Sequence, residues 1–172
     1  MKEYKLIIMR HAKSDWSVES NTDFERPLSI RGEKAARLMG KWLKKNYHEI
    51  ERIICSPALR AKQTCHRIIK ELGIAGNNVY LESEIYEASL DHLLAIISQH
   101  SKDVRTLLLI GHNPGLDQLL CYLSKTPPPI TTSGKLLTTA ALAILDYGNT
   151  PITTNPHQAR LQKLIRPEAL QV

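Results

Sequence analysis

The sequence lacks most of the features that mark specialised classes of protein. Phe, Trp and Tyr together make up only 5% of its 172 residues, and the longest basic run is Lys44-Lys45. Proteins that bind nucleic acids usually carry clustered basic residues, often with aromatic side chains on which bases stack. We therefore predict no nucleic-acid partner, although the net charge of +6 is compatible with anionic, phosphorylated ligands.

Cysteine is also scarce. The three cysteines are an odd number and form no C-x-x-C pair, which argues against a disulfide framework and a zinc finger. The histidines show neither an H-x-H nor an H-E-x-x-H spacing. We expect a cytoplasmic protein that uses no metal and no other cofactor.

Long hydrophobic runs are missing too. The apolar run at residues 6–9 stops at Arg10 and is too short for the core of a signal peptide. The mostly apolar segment at residues 136–145 is far shorter than the ~20 residues of a transmembrane helix. The sequence therefore predicts no membrane association.

What the sequence does contain is an alternation of short apolar segments and segments of helical period. Its 42% apolar and 23% charged residues suit one globular domain over residues 1–172. Strands are predicted at residues 4–9, 52–55, 79–81, 106–110, 140–145 and 161–165, and helices at 32–46, 57–72, 89–97 and 114–123. We therefore predict an α/β fold, a three-layer α/β/α sandwich with a mostly parallel central sheet.

Two helix boundaries carry specific signals. Ser56-Pro57 resembles an N-cap followed by proline at the first helical position, and Gly73 is a typical helix end. Residues 148–160, rich in Thr, Asn and Pro, are predicted as a loop without an assigned role.

Polar clusters follow three of the predicted strands. They are Arg10-His11, the segment from Ser56 to Arg60, and the segment from Gly111 to Pro114, which contains His112. Ligands of such sheets bind outside the carboxyl ends of the strands, so two arginines and two histidines should meet there. Each residue alone could be a solvated charge or a structural histidine, but their joint placement favours a site.

The chemistry of this set suits phosphoryl transfer. Guanidinium groups bind phosphoryl oxygens in bidentate fashion, and a neutral imidazole is a competent nucleophile near neutral pH. A second histidine can stabilise the charge that develops on the oxygens in the transition state. Because phosphoryl transfer needs mainly positioning and charge neutralisation, four such residues could suffice without a metal.

At these residues the sequence resembles the histidine phosphatase superfamily, and within it the short SixA-type branch. The resemblance covers residues ~4–147 in order and spacing. It rests on the opening motif Arg10-His11-Ala12, where most members have glycine in place of Ala12, and on the segments 23–28, 31–32, 56–64 and 111–114. It implies that His11 is the phosphate-accepting nucleophile and that Arg10, Arg60 and His112 complete the phosphate pocket.

The general acid is less clearly marked. Many members of the superfamily carry a glutamate after the third strand, and this sequence offers Glu82, Glu84 and Glu87, with Glu84 preferred. Asp23 matches the carboxylate of the SixA-type branch and is a further candidate. A surface role for each of these carboxylates stays open.

The predicted function is that of a metal-independent phosphatase with a phosphohistidine intermediate. Its expected substrate is phosphohistidine on a protein, because the short chain leaves little room for a capping insertion over the cleft. Two alternatives stay open: a broad phosphomonoesterase for small molecules, and a phosphate-binding module without catalysis.

Overall fold

The computed structural model describes residues 3–19 and 22–170, which form a single six-stranded sheet with helices on both sides. The strands are β1 (Tyr4–Arg10), β2 (Arg52–Cys55), β3 (Val79–Leu81), β4 (Thr106–Gly111), β5 (Leu142–Gly148) and β6 (Arg160–Ile165). The helices are α1 (Ile30–Asn46), α2 (Leu59–Leu72), α3 (Leu90–His100), α4 (Gly115–Leu123) and the short α5 (Pro167–Leu170). The predicted three-layer fold is confirmed.

The sheet has the strand order β3-β2-β4-β1-β5-β6. The pairs β2–β3, β2–β4 and β1–β4 are parallel, whereas β5 is antiparallel to both β1 and β6. The carboxyl ends of β1, β2 and β4 are nearly level, since Arg10 pairs with Gly111 and Cys55 pairs with Ile110.

Each face of the sheet forms its own hydrophobic core. Successive side chains of a strand point to opposite faces, and the buried run of β1 divides accordingly. Leu6 and Ile8 pack in the core under α3 and α4, while Ile7 and Met9 pack in the core under α1 and α2. The short polar segments at the carboxyl ends of these strands are therefore held between two packed layers.

The predicted start of α2 was wrong. The helix begins at Leu59, and its N-cap position is Ala58, without a side-chain hydrogen bond. Ser56 Oγ instead accepts a hydrogen bond from the Ala58 amide at 3.2 Å and lies 2.7 Å from His112 Nε2. The helix ends as predicted, because Gly73 adopts the left-handed conformation, with φ of 70°.

The predicted loop at residues 148–160 packs against the α3–α4 side of the molecule. Ile152 and Ala159 are buried in that core, and the Tyr147 hydroxyl donates to the Thr153 carbonyl at 2.9 Å. Among the helices of the described residues, none has the length and apolarity needed to cross a membrane.

Candidate active site

Residues from three strand ends converge at the carboxyl edge of the sheet. His11 follows β1, Arg60 lies in the first turn of α2 after β2, and His112 follows β4. The backbone fixes the position of His11 on both sides: its amide donates to the Gly111 carbonyl at 3.0 Å, and its carbonyl accepts from the Ala140 amide at 3.0 Å. The site is therefore built on the sheet itself.

The imidazole of His11 is held in one tautomer. Its Nδ1 lies 2.7 Å from the Ala12 carbonyl oxygen, which can only accept, so Nδ1 carries the proton. Its Nε2 accepts from Arg60 Nε at 3.4 Å, which agrees with an Nε2 that carries no proton. Ala12 is fully buried, its amide donates to Thr64 Oγ1 at 3.0 Å, and its φ is not positive, so alanine replaces glycine without backbone strain.

The surroundings of His11 keep its ring neutral. The side chain is 7% exposed, and burial, followed by the charges of His112, Arg60 and Arg10, lowers its pKa to about 3. Hydrogen bonding to the Ala12 carbonyl opposes this shift but does not cancel it. At neutral pH, Nε2 is therefore an uncharged nitrogen with its lone pair available.

His112 faces His11 across the site. The two ring centroids are 5.1 Å apart, and His112 Nε2 is hydrogen-bonded to Ser56 Oγ. Burial, and then the charges of Arg60 and Arg10, lower the pKa of His112 to about 4. Its Nδ1 is buried and has no hydrogen-bond partner among the described residues.

The two arginines are held by different segments of the chain. Arg60 Nη1 donates to the Asp23 carbonyl at 2.7 Å, and its Nη2 lies 3.0 Å from Asp23 Oδ2. Arg10 Nη1 donates to the Leu137 carbonyl at 3.1 Å. Each guanidinium therefore has a fixed orientation while part of its donor set stays available for an anion.

Asp23 is the carboxylate that the structure brings to this group. The Tyr86 hydroxyl donates to Asp23 Oδ2 at 2.7 Å, and Arg26 Nη2 lies 2.7 Å from Oδ1. The Tyr86 hydrogen bond, followed by those of Arg60 and Arg26, lowers the pKa of Asp23 to about 2. Asp23 is therefore ionised at neutral pH.

In the described part of the chain, the three glutamates that were candidates for the general acid, Glu82, Glu84 and Glu87, do not contact this group as Asp23 does. Glu82 Oε1 is 2.7 Å from His100 Nε2, so this side chain is directed to the end of α3. Glu84 is exposed on the turn Ser83–Ile85, and Glu87 is exposed with a φ of 56°. Within residues 3–19 and 22–170, none of the three forms a hydrogen bond with the arginines and histidines of the site.

Two neighbours of the site were missed from the sequence. The sequence predicts Ser56 as a helix cap, although the segment from Ser56 to Arg60 is also one of the polar clusters that follow predicted strands. Tyr86 packs edge-on against His112, with ring centroids 5.5 Å apart, and it also bonds Asp23. Nothing in its local sequence distinguishes it from the other tyrosines.

A metal site is not evident in the part of the chain that the structure describes. There, no group of three or more His, Cys, Asp and Glu side chains is arranged so that it could hold an ion. The arrangement offers instead an uncharged imidazole nitrogen among cationic and neutral donors, a set that suits a phosphoryl group.

Comparisons with known proteins show the family to which the chain belongs. Residues 6–93 match the histidine phosphatase superfamily (branch 1). The phosphohistidine phosphatase SixA of Escherichia coli is 33% identical over 136 residues, which are 75% of this chain and 81% of that protein. An uncharacterised protein of Mycobacterium tuberculosis is 35% identical over 116 residues, covering 67% of this chain and 70% of that one.

A solved structure of the protein histidine phosphatase SixA complexed with tungstate is also similar. It superposes with a TM-score of 0.80 at 27% identity, over 97% of this chain and 99% of that one. The chain therefore belongs to the histidine phosphatase superfamily and resembles its SixA-type members. It is a phosphatase, an enzyme of the hydrolase class.

Proposed function

We propose that this phosphatase acts through a covalent phosphohistidine at His11, without a metal, and that its substrate is phosphohistidine on a protein. One observation carries the proposal: the Nε2 lone pair of a neutral His11 is surrounded by Arg60 and His112, with Arg10 preceding it on β1. The tungstate complex of a similar protein supports it, because tungstate is a tetrahedral oxyanion like phosphate.

The reaction consists of two displacements at phosphorus. His11 Nε2 attacks, a P–N bond to His11 forms, and the bond from phosphorus to the substrate's leaving group breaks. Water then attacks the same phosphorus, the P–N bond to His11 breaks, and orthophosphate leaves. Arg10, Arg60 and His112 stabilise the charge on the non-bridging oxygens in both steps.

The ionisation state of Asp23 supports phosphohistidine, rather than alkyl phosphate esters, as the substrate. An alkyl phosphate expels a poor alkoxide, which an acid must protonate, whereas phosphohistidine expels imidazole, which can carry its own proton. Because the pKa of Asp23 is about 2, this carboxylate holds no proton at neutral pH. Glu84 remains the other candidate acid, and Glu84→Gln should then slow ester hydrolysis more than phosphohistidine hydrolysis.

We place the protein in the cytoplasm as part of this proposal. The support is chemical: Cys55, Cys65 and Cys121 are all free thiols, and Cys121 is exposed, as suits a reducing compartment.

The first test is turnover of an aryl phosphate in excess chelator. Wild-type protein should retain its rate, and His11→Ala should lose at least about 10³-fold because the nucleophile is gone. His66→Ala is the matched control, since His66 is exposed on α2. Retained activity in His11→Ala would remove His11 as the nucleophile, and a rate that chelator abolishes would contradict metal independence.

The second test separates the substrate classes. Rates on a phosphohistidine-containing protein and on a panel of alkyl and aryl phosphomonoesters should be compared side by side. We expect the highest kcat/KM on phosphohistidine. Equal or faster turnover of alkyl phosphates would favour the broad phosphomonoesterase, and binding without turnover of any substrate would favour the non-catalytic module.

A further inference from the structure

A second cleft adjoins the proposed phosphoryl pocket and shares Arg10 with it. It measures about 320 Å³, and the residues that line it include Arg10, Lys13, Arg31, Lys135, Thr138 and Glu168. The volume lies at the small end of the range for ligand pockets, ~300–1,000 Å³. The Arg10 charge acts on His11, and the Arg60 charge acts on Arg10, so this guanidinium belongs to both places and a group bound in this cleft would lie near the phosphoryl group.

Positive charge predominates in this cleft. Lys13, Arg31 and Lys135 make no side-chain hydrogen bond and no ion pair within the ranges 3–19 and 22–170, and Glu168 is the only carboxylate among the lining residues. Three like charges that face a common space repel one another, and an anion placed between them removes that repulsion. The cleft therefore favours an anionic group.

Two unpaired polar atoms of the lining residues also favour an anionic group in this cleft. Arg10 Nη1 is bonded to the Leu137 carbonyl, but Arg10 Nε and Thr138 Oγ1 are buried and have no partner among the described residues. Buried polar atoms are seldom left unpaired, and such atoms are frequent at binding sites. The Thr138 hydroxyl carries no charge, so this observation adds to the charges of Lys13, Arg31 and Lys135.

The wall that carries Lys135 is held in place. Arg166 Nε donates to the Leu136 carbonyl at 3.1 Å, and Asn113 Nδ2 donates to the Leu137 carbonyl at 3.0 Å. The Leu137 amide donates to Asp117 Oδ1 at 3.1 Å. Residues 135–137, which form this wall, are thereby fixed to the end of β6, to α4 and to the segment that contains His112. The cleft therefore keeps its position relative to the phosphoryl pocket.

We propose that this cleft is a second anion subsite, which binds a carboxylate or phosphate group of the substrate beside the phosphoryl group under attack. The inference rests on the proposed function for the phosphoryl pocket and adds a substrate requirement to it. In a protein substrate the anion would be an Asp or Glu near the phosphohistidine. In a small substrate it would be a second carboxylate or phosphate.

The test uses binding, so that its result does not depend on turnover. Titration calorimetry compares alkyl phosphonates of increasing chain length with the same phosphonates that carry a terminal carboxylate. A second arm compares two peptides that contain a stable phosphohistidine analogue, flanked either by glutamates or by glutamines. We expect the added carboxylate to tighten binding by about five-fold or more in at least one arm.

The advantage should disappear in the variant Lys13→Gln/Arg31→Gln/Lys135→Gln. The matched control is Lys41→Gln/Lys44→Gln/Lys102→Gln, which removes the same formal charge from exposed positions elsewhere and should keep the advantage. An effect in the peptide arm alone identifies a protein substrate, and an effect in the phosphonate arm alone identifies a small one.

Two results would overturn the subsite: no advantage in either arm with wild-type protein, or the same advantage in the Lys13, Arg31 and Lys135 variant. Neither result depends on whether phosphohistidine is hydrolysed. Conversely, a failure to hydrolyse phosphohistidine would contradict the proposed function. The ratio of binding constants with and without the added carboxylate could still be interpreted.

Discussion

At the scale of single residues, the site depends on how each charged group is restrained. Arg60 contacts His11 through Nε and Asp23 through both terminal nitrogens. The Tyr86 hydroxyl completes the set of donors around the Asp23 carboxylate. Asp23 is therefore better placed to orient Arg60 than to deliver a proton.

This leads to a prediction for Asp23→Asn. Losing a charge-assisted hydrogen bond to Arg60 costs about 1.5–3 kcal/mol, so kcat/KM should fall by about 10- to 100-fold. Tyr86→Phe removes only a neutral donor and should cost less. The measurement is kcat/KM on a phosphohistidine protein and on an alkyl phosphate, with Asp91→Asn on the exposed face of α3 as the control.

The pattern of losses separates two roles for Asp23. A residue that positions Arg60 affects both substrates equally, because both need the arginine. A general acid affects the alkyl phosphate far more, and its loss removes the basic limb of the pH–rate profile. A selective loss on the alkyl phosphate would therefore contradict the positioning role.

At the scale of secondary-structure elements, the segment after β1 is supported by the start of α1. The Lys13 carbonyl accepts hydrogen bonds from the Ser29 amide at 2.9 Å and from Ser29 Oγ at 3.1 Å. Gly32, in the first turn of α1, lies directly against this carbonyl: a Cβ at this position would be 2.1 Å from the Lys13 oxygen. The helix and the segment after His11 therefore share a contact that only glycine allows.

Gly32→Ala should consequently destabilise the protein, although alanine usually stabilises a helix by about 0.5–1 kcal/mol relative to glycine. Overpacking of this kind typically costs about 1–3 kcal/mol, and the displaced segment should also lower kcat. The free energy of unfolding from urea titration and the aryl phosphate rate are the measurements. Gly76→Ala is the control, since no atom lies within 4 Å of a Cβ placed there. Equal free energies of unfolding for Gly32→Ala and wild type would show that the segment after β1 shifts without a loss of stability.

The same elements show how much the sequence could predict. The apolar runs and the helical spacing were sufficient to predict the three layers of the fold. A strand that is buried on both faces requires continuous apolar residues, so the runs identify the strands of the central sheet. The direction of β5 could not be read from them. Residues 124–141 bring the chain back to the carboxyl edge, where the Ala140 amide bonds the His11 carbonyl, so β5 runs antiparallel to β1.

Side-chain contacts were harder to predict than elements. His11, Arg60 and His112 were found because each follows a strand end, a position that backbone topology alone defines. Ser56 was misassigned because a serine before proline suits a helix cap, and only the fold brings His112 within 2.7 Å of it. Tyr86 lies 63 positions from Asp23, and no local pattern encodes that contact.

At the scale of the whole molecule, the site concentrates positive charge in partly buried surroundings. Arg10, His11, Arg60 and His112 lie together, and the two imidazoles remain neutral because burial and the neighbouring guanidiniums disfavour additional charge. The folded protein therefore resists protonation at two positions that bind protons readily in an unfolded chain. The dependence of stability on pH should therefore reflect the neutral state of these two imidazoles.

The expected effect is a loss of stability as pH falls from about 6.5 towards 4. Histidine ordinarily has a pKa of 6.5, and folding lowers this pKa to about 3 for His11 and to about 4 for His112. Across that range the unfolded chain takes up protons that the folded protein does not, so acidification favours unfolding. Each histidine contributes a slope of up to ~1.4 kcal/mol per pH unit. At pH values well above 6.5 both rings are neutral in either state, and their contribution to the slope vanishes.

Urea unfolding at a series of pH values measures this slope. The variant His11→Asn/His112→Asn should show a flatter dependence of stability on pH between pH 6.5 and 4, whatever its absolute stability. The pKa of Asp23 falls from 3.8 to about 2 on folding, so its contribution is lost mainly below pH 4. Because Asp23 is present in both proteins, the part lost above pH 4 cancels in the comparison. An unchanged slope in the double variant would show that these two imidazoles are not the groups that resist protonation.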